Sequence, residues 1–273
     1  MRHFEIISES AEEDRAIISL AAAISERIKD LDEPEPEEFT DYDEYDPDAD
    51  LDISPDLEDE PIVLGQIGDL FDTPLEILNP ITIELQSSYG MNERYHRDSG
   101  GEGTKDPKTS NYLGLWYPEN STIVLNREYI GSNSIRSTIT HELRHALDDY
   151  KSDFKAGDST RYSTPKNPAY RDVEDHPTLG NVGYLARPEE INARFAQVLN
   201  DMVPVVGRAA KLGQAEADKL ISSSLLRFME LRKIYNLFPE KEASKDFKRL
   251  MSRAMVFISK EFEHLRSLSN ERD

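Results

Sequence analysis

Two histidines separated by three residues are the part of this sequence best suited to chemistry. The segment His141-Glu142-Leu143-Arg144-His145 has the pattern H-E-x-x-H. On an α-helix, residues four apart lie on one face, so both imidazoles can bind one Zn²⁺ ion while the glutamate reaches a water molecule beside it. Chance would give two histidines in this spacing with either acid after the first about 0.03 times in a chain of this composition. The motif predicts a zinc site with His141 and His145 as ligands and Glu142 as the general base.

The residues around the motif predict a helix with one buried face. Ser134 is a residue type that caps helix N-termini. On a helical wheel that starts at His141, the apolar residues lie opposite the two histidines. They are Ile135, Ile139, Leu143, Ala146, Leu147 and Tyr150. One face is therefore expected in the core and the other at a cleft, although two histidines that bind no metal remain the alternative.

A second segment carries a resemblance to a metallopeptidase family. It runs from Tyr184 to Phe195 and contains Pro188-Glu-Glu-Ile-Asn-Ala-Arg194. Together with the H-E-x-x-H motif, it makes the chain similar to the zincin metallopeptidases whose third zinc ligand is a glutamate on a later, downstream helix. The resemblance covers about residues 121–200 and extends to metallopeptidases predicted in tailed bacteriophages.

The resemblance implies that Glu190 is the third zinc ligand. Catalytic zinc takes three protein ligands and keeps one position open. Pro188 suits the first turn of a helix, and the small Ala193 would let that helix approach the zinc helix closely. The alternative third ligands are Glu189, His176 and Asp149.

Two related families fit the sequence less well. The metzincin pattern needs glycine at position 148 and histidine at position 151, where this chain has Asp148 and Lys151. Deformylases resemble this helix motif but add a cysteine ligand, and the chain contains no cysteine. The resemblance is therefore to the branch with a glutamate ligand.

The zincin resemblance also implies a reaction, the hydrolysis of a peptide bond. Zinc would lower the pKa of a water molecule towards ~7, and Glu142 would take its proton and pass it to the leaving amine. The oxyanion needs a further hydrogen-bond donor. We expect Tyr184 to supply it, because Tyr184 lies six residues before Glu190. Other candidates in the same connecting segment are Tyr162, Tyr170 and His176.

Residues that flank the predicted ligands are expected to support the site. Asp148 and Asp149 are candidates to orient the ligand imidazoles, with solvated acids at a helix end as the alternative. The strand Ser121–Asn126 is expected to be an edge strand that holds a substrate backbone, with an internal strand as the alternative. We assign Arg144 and Arg194 to structural ion pairs with nearby acids and expect no catalytic role for them.

The N-terminal part of the chain has two regions of different composition. Residues 1–30 predict an amphipathic helix, because apolar residues recur at helical spacing between Ala16 and Ile28. Residues 31–61 predict a disordered acidic linker. From Asp30 to Pro61 there are 17 acidic residues and five prolines but no lysine or arginine.

The rest of the chain predicts a zincin-like domain over 62–203 and a helical region over 204–273 that packs on it. Short strands are predicted at Ile81–Leu85 and Ser121–Asn126, with a long surface loop from Tyr89 to Asn111. Two long helices are predicted at about 206–236 and 240–268. The predicted fold class is α+β, helix-dominated, with a small sheet, an active-site helix and two long C-terminal helices.

Charge and composition disfavour several classes of partner. The chain has 54 acidic residues against 32 Lys and Arg, a net charge of -22. Nucleic acid is therefore not an expected partner, since phosphate binding needs a basic surface. Apolar stretches are too short for a membrane span, and the acidic N-terminus does not resemble a signal peptide. We expect a cytoplasmic protein without a membrane partner, or a virion-associated one if a phage encodes it.

The combined prediction is a zinc-dependent metallopeptidase that acts on a peptide or protein. Residues 31–61 would be a linker or part of a removable or inhibitory leader. The main alternative is a non-catalytic interaction or virion-structural protein that retains the scaffold, against which the intact Glu142 argues. An acidic mimic of nucleic acid would explain the charge but not the motif.

Overall fold

The described part of the chain consists of helices and a small sheet. The computed structural model describes residues 11–32, 62–64, 75–88, 90–91, 113–132, 134–151, 188–228, 231–233 and 240–270. The predictions of an acidic linker and of a long surface loop fall on segments that lie, for the most part, outside these ranges.

Helices dominate these ranges, in agreement with the predicted α+β class. The helices are α1 (Ala11–Asp32), α2 (Ile135–Lys151), α3 (Pro188–Ala209), α4 (Gln214–Ser224) and α5 (Glu240–Asn270). The strands are β1 (Ile62–Val63), β2 (Thr82–Gln86), β3 (Gly114–Tyr117) and β4 (Thr122–Asn126). None of the helices in the described ranges is both long and apolar enough to cross a membrane.

The four strands form one mixed sheet in the order β1-β2-β4-β3. β1 and β2 are antiparallel, β2 and β4 are parallel, and β4 pairs with β3 as an antiparallel ribbon. The expectation that Ser121–Asn126 forms an edge strand is therefore wrong, and the internal alternative is correct. β4 is internal because β2 and β3 pair with its two edges. All five of its residues are also buried, and an apolar run such as that of β4 is typical of a strand covered on both faces.

A first hydrophobic core joins α1 and α2 to the sheet. Ile17 and Ile24 of α1 pack in the same cluster as Ile83 of β2 and Ile123 of β4. The apolar face predicted for α2 is confirmed: five of its six residues are buried in this cluster and Tyr150 packs against it. They are Ile135, Ile139, Leu143, Ala146 and Leu147. This packing directs the opposite face of α2, with both histidines, away from the sheet core.

A second core lies among α3, α4 and α5. It includes Phe195 of α3, Phe228 after α4 and Phe257 of α5, together with Ile18 of α1. Because neighbouring residues of α1 enter the two cores, this helix is built into both rather than lying on the surface.

The second predicted C-terminal helix, 240–268, is confirmed by α5 (Glu240–Asn270), whereas the first, about 206–236, begins and ends at other residues than predicted. α3 continues through Pro204 to Ala209, and α4 starts only after Gly213, whose extended backbone (ψ 154°) precedes the helix. The predicted start near 206 is wrong because the buried stripe of α3 runs on past the proline to Val205 and Val206. The boundary drawn between residues 203 and 204 therefore falls inside a helix.

Candidate metal centre

Helices α2 and α3 bring the predicted ligands together. His141 and His145 lie one turn apart on α2, and Glu190 lies in the first turn of α3. The small, fully buried Ala193 lies one turn after Glu190. The three side chains form a cluster that could hold a metal ion, with one ligand atom from each within 4.8 Å of the others.

The distances within this cluster suit a tetrahedral ion. The two histidine Nε2 atoms are 3.1 Å apart. Glu190 Oε1 lies 3.3 Å from His145 Nε2, and Glu190 Oε2 lies 3.8 Å from His141 Nε2. Ligands at ordinary zinc distances on two corners of a tetrahedron are about 3.3 Å apart. The side chains therefore already have nearly the separation that a bound zinc ion requires.

The charges of the cluster favour a cation between these side chains. Burial lowers the pKa of His141 to about 3, and the neighbouring His145 adds to that effect. Burial would also lower the pKa of His145, but the contact with Glu190 and the charges of Glu142 and Asp148 together outweigh burial and raise this pKa to about 9. The carboxylate of Glu190 therefore favours a positive charge beside the two imidazoles, which a metal ion would supply.

Glu142 lies beside the cluster as a buried carboxyl group. It is 7% exposed. Burial raises its pKa to about 7, against the opposing effects of His145 and of a hydrogen bond from the backbone N–H of Trp116. A general base works best when its pKa lies near the working pH. Glu142 is therefore a candidate general base beside the cluster.

Strand β3 approaches Glu142 closely because Gly114 has no side chain. A Cβ atom at position 114 would lie 2.6 Å from Thr138 Cγ2 and 3.1 Å from Glu142 Cγ. Such a short contact with a helix side chain forces the strand or the helix to move. The absence of a side chain at Gly114 therefore sets the distance between β3 and the candidate base.

We expect Gly114→Ala to destabilise the protein by about 1–3 kcal/mol, because overpacking of a tight contact costs this much. Chemical denaturation followed by circular dichroism measures the change. Gly131→Ala is the matched control, since a Cβ at that position has no atom within 4 Å. Equal stability of the two variants would contradict the close contact of β3 with α2.

The acids and the first arginine near the motif form structural contacts. Asp148 accepts hydrogen bonds from Arg144 at 2.7 Å and from Asn192 at 3.2 Å. Asp149 accepts one from the indole Nε1 of Trp116. The structural ion pair predicted for Arg144 is confirmed. Asp148 thus connects α2 to α3 through Asn192, and Asp149 connects α2 to β3 through Trp116. Their predicted role was to orient the imidazoles.

Arg194 lies one turn after Glu190 on α3. Its Nε atom is 3.8 Å from Glu190 Oε2, which is too long for a hydrogen bond. Its predicted ion pair with a neighbouring acid is therefore present but loose, and the side chain remains 38% exposed.

Several predicted residues lie outside the described part of the chain. Tyr184, the expected oxyanion donor, is one of them, as are the alternatives Tyr162, Tyr170 and His176. The backbone of Glu189 belongs to α3, but its side chain is not among those described. Asp149, another alternative ligand, is not part of the histidine cluster.

Sequence reasoning missed two residues that shape the site, Gly114 and Trp116. Both lie in the short segment Gly114–Tyr117, which was not predicted as a strand. The available signal was an apolar and aromatic run followed by Pro118 and Asn120, typical of a strand that ends in a turn. Comparisons with protein-family models, with curated proteins and with solved structures find no match to this chain.

Proposed function

We propose that this protein is a zinc-dependent metallopeptidase that hydrolyses peptide bonds. The observation that carries the proposal is the convergence of His141, His145 and Glu190 at separations suited to a tetrahedral zinc ion. Nitrogen and carboxylate ligands in this combination are typical of catalytic zinc, which binds three protein side chains and keeps a fourth position open.

Glu142 is the proposed proton carrier. When bound, zinc supplies a Lewis acid that activates water and polarises a carbonyl group. Glu142 accepts the proton of the attacking water on a carboxylate oxygen and delivers it to the amine that leaves. The N–H of Trp116 holds this carboxylate in place. A buried base restrained in this way loses little entropy during the reaction.

The outer edge of β3 is the proposed binding site for the backbone of a substrate. Within the described ranges, β3 is an end strand of the sheet. Asn126 N–H donates to Leu113 C=O, and hydrogen-bond directions alternate along an antiparallel strand. The backbone groups of Gly114 and Trp116 therefore face away from β4, and Trp116 N–H meets Glu142 there. An extended peptide that pairs with this edge would pass beside the base and the ligand cluster.

The test is the zinc content of the purified protein and of two variants. We expect about one zinc ion per chain in the wild type. We expect His145→Ala and Glu190→Ala to weaken zinc binding by more than about 100-fold. Removal of a metal ligand should reduce the affinity more than removal of a residue that only hydrogen-bonds to a ligand. Elemental analysis after dialysis and a competition titration with a chelating dye give both quantities.

His264→Ala and Glu263→Ala are the matched controls, since both residues are exposed on α5. They should retain zinc. If zinc stays bound in Glu190→Ala, another residue is the third ligand. A wild type that binds no zinc after reconstitution would overturn the metallopeptidase proposal and favour a non-catalytic interaction protein.

A further inference from the structure

The guanidinium group of Arg194 lies at the rim of the candidate metal centre. Its Nε atom and His141 Nε2 are each 3.8 Å from the same oxygen, Glu190 Oε2. Arg194 is thus a neighbour of Glu190 at the oxygen that also faces His141, whereas His145 lies beside the other oxygen, Oε1. A fixed positive charge at this place lies within reach of a ligand that binds beside the histidines.

Arg194 differs in its contacts from the other arginine of the site. Arg144 is fully buried and donates a hydrogen bond to Asp148 at 2.7 Å. The Arg194 side chain is 38% exposed, and its buried Nε has no acceptor at hydrogen-bond distance within the described ranges. In the described part of the chain, Arg194 therefore lacks a close carboxylate partner of the kind that Arg144 has in Asp148.

The charge of Arg194 becomes available when a metal ion is bound. A carboxylate that coordinates a divalent cation shares its negative charge with the cation and neutralises a nearby arginine less. A guanidinium group presents several N–H donors in a planar fork that matches an oxyanion or a carboxylate. Metal and guanidinium would then attract the same negatively charged oxygen from two sides.

We propose that Arg194 is the anion-binding residue of the metal centre and hydrogen-bonds a negatively charged oxygen of the ligand. This inference rests on the proposed function. The oxygen belongs either to a carboxylate of the substrate or to the carbonyl oxygen that becomes an oxyanion during hydrolysis. In both cases Arg194 touches the ligand, and in the second case it takes part in the stabilisation of the oxyanion for which the sequence also suggests Tyr184.

The test uses the full chain loaded with Co²⁺, whose visible absorption reports ligands that join the metal. Sodium acetate represents a substrate carboxylate, and methylphosphonate represents a tetrahedral oxyanion. At constant ionic strength, we expect Arg194→Met to weaken binding of one or both anions by about 10- to 100-fold, the loss of one charge-assisted hydrogen bond. Arg194→Lys should recover part of the affinity, because it keeps the charge but not the fork.

Arg208→Met is the matched control, because Arg208 is exposed near the other end of α3. It changes the net charge equally and should bind the anions as the wild type does. Imidazole, an uncharged ligand, should bind the wild type and Arg194→Met equally.

The outcomes separate the two proposals. Weaker binding of both anions in Arg194→Met supports a general carboxylate site. Weaker binding of methylphosphonate alone supports stabilisation of the reaction oxyanion. Equal anion affinities in wild type and Arg194→Met, or no anion binding by the cobalt protein, would overturn the role of Arg194 alone. A wild type that binds no cobalt would instead overturn the metal centre itself.

Discussion

Glu142→Gln is expected to lower peptide hydrolysis by about 10²- to 10⁴-fold, the usual contribution of a general acid or base. Glutamine has the shape of glutamate, so the contact with Trp116 N–H and the packing against β3 can persist. It cannot accept a proton from water at neutral pH. Because Glu142 is not one of the three clustered ligand residues, metal binding should remain.

The measurement is cleavage of a complex peptide mixture, followed by mass spectrometry, with the zinc content determined on the same samples. A peptide mixture is suitable because it presents many sequences at once. Glu263→Gln, an exposed residue of α5, is the matched control and should cleave as the wild type does. Full activity in Glu142→Gln would show that another group carries the proton. Activity lost together with zinc would assign Glu142 to metal binding.

The second large effect is expected at Asp14, in a buried group of charged side chains that joins four helices. Asp14 of α1 is fully buried. Its carboxylate accepts hydrogen bonds from Arg253 of α5 and lies 3.7 Å from Arg144 of α2. Arg144 donates to Asp148, which also accepts from Asn192 of α3. Two members of this group, Arg144 and Asp148, lie on α2 within one turn of His145.

We expect Asp14→Asn to lower the free energy of unfolding by about 3–5 kcal/mol, as is usual when one partner of a buried ion pair is removed. The substitution keeps the size of the side chain but leaves the buried Arg144 and the partly buried Arg253 without the carboxylate between them. Asp14 has no access to water, and this burial raises the pKa of its carboxyl group despite the opposing charge of Arg253. Urea denaturation of the metal-free full chain measures the effect without a contribution from bound zinc.

Glu12→Gln is the control, because Glu12 lies in the same turn of α1 but is largely exposed, with Lys260 3.9 Å away. It should change stability by less than about 0.5 kcal/mol. Similar small changes in both variants would contradict a structural role for the Asp14 group. A large change at Asp14 alone would show that the contacts of α1 with α2 and α5 contribute to the stability of the fold.

The sequence was sufficient for features that depend on local spacing. The amphipathic α2, the shared face of His141 and His145, and the position of Glu142 between them all follow from the helical repeat, which acts over a few residues. The unbroken apolar run of β4 likewise indicated a strand. These predictions need no knowledge of which other elements lie nearby.

The tertiary structure determined which residues far away in sequence lie next to α2 and its histidines. The zincin resemblance suggested Glu190, but its distance from the histidines depends on how α3 packs against α2. The place of β4 inside the sheet, the contact of Gly114 with Glu142 and the burial of Asp14 between α2 and α5 are also contacts between residues far apart in sequence. Such contacts leave little periodic signal in the chain, because they result from shape and charge complementarity between surfaces that form only when the helices and strands pack together.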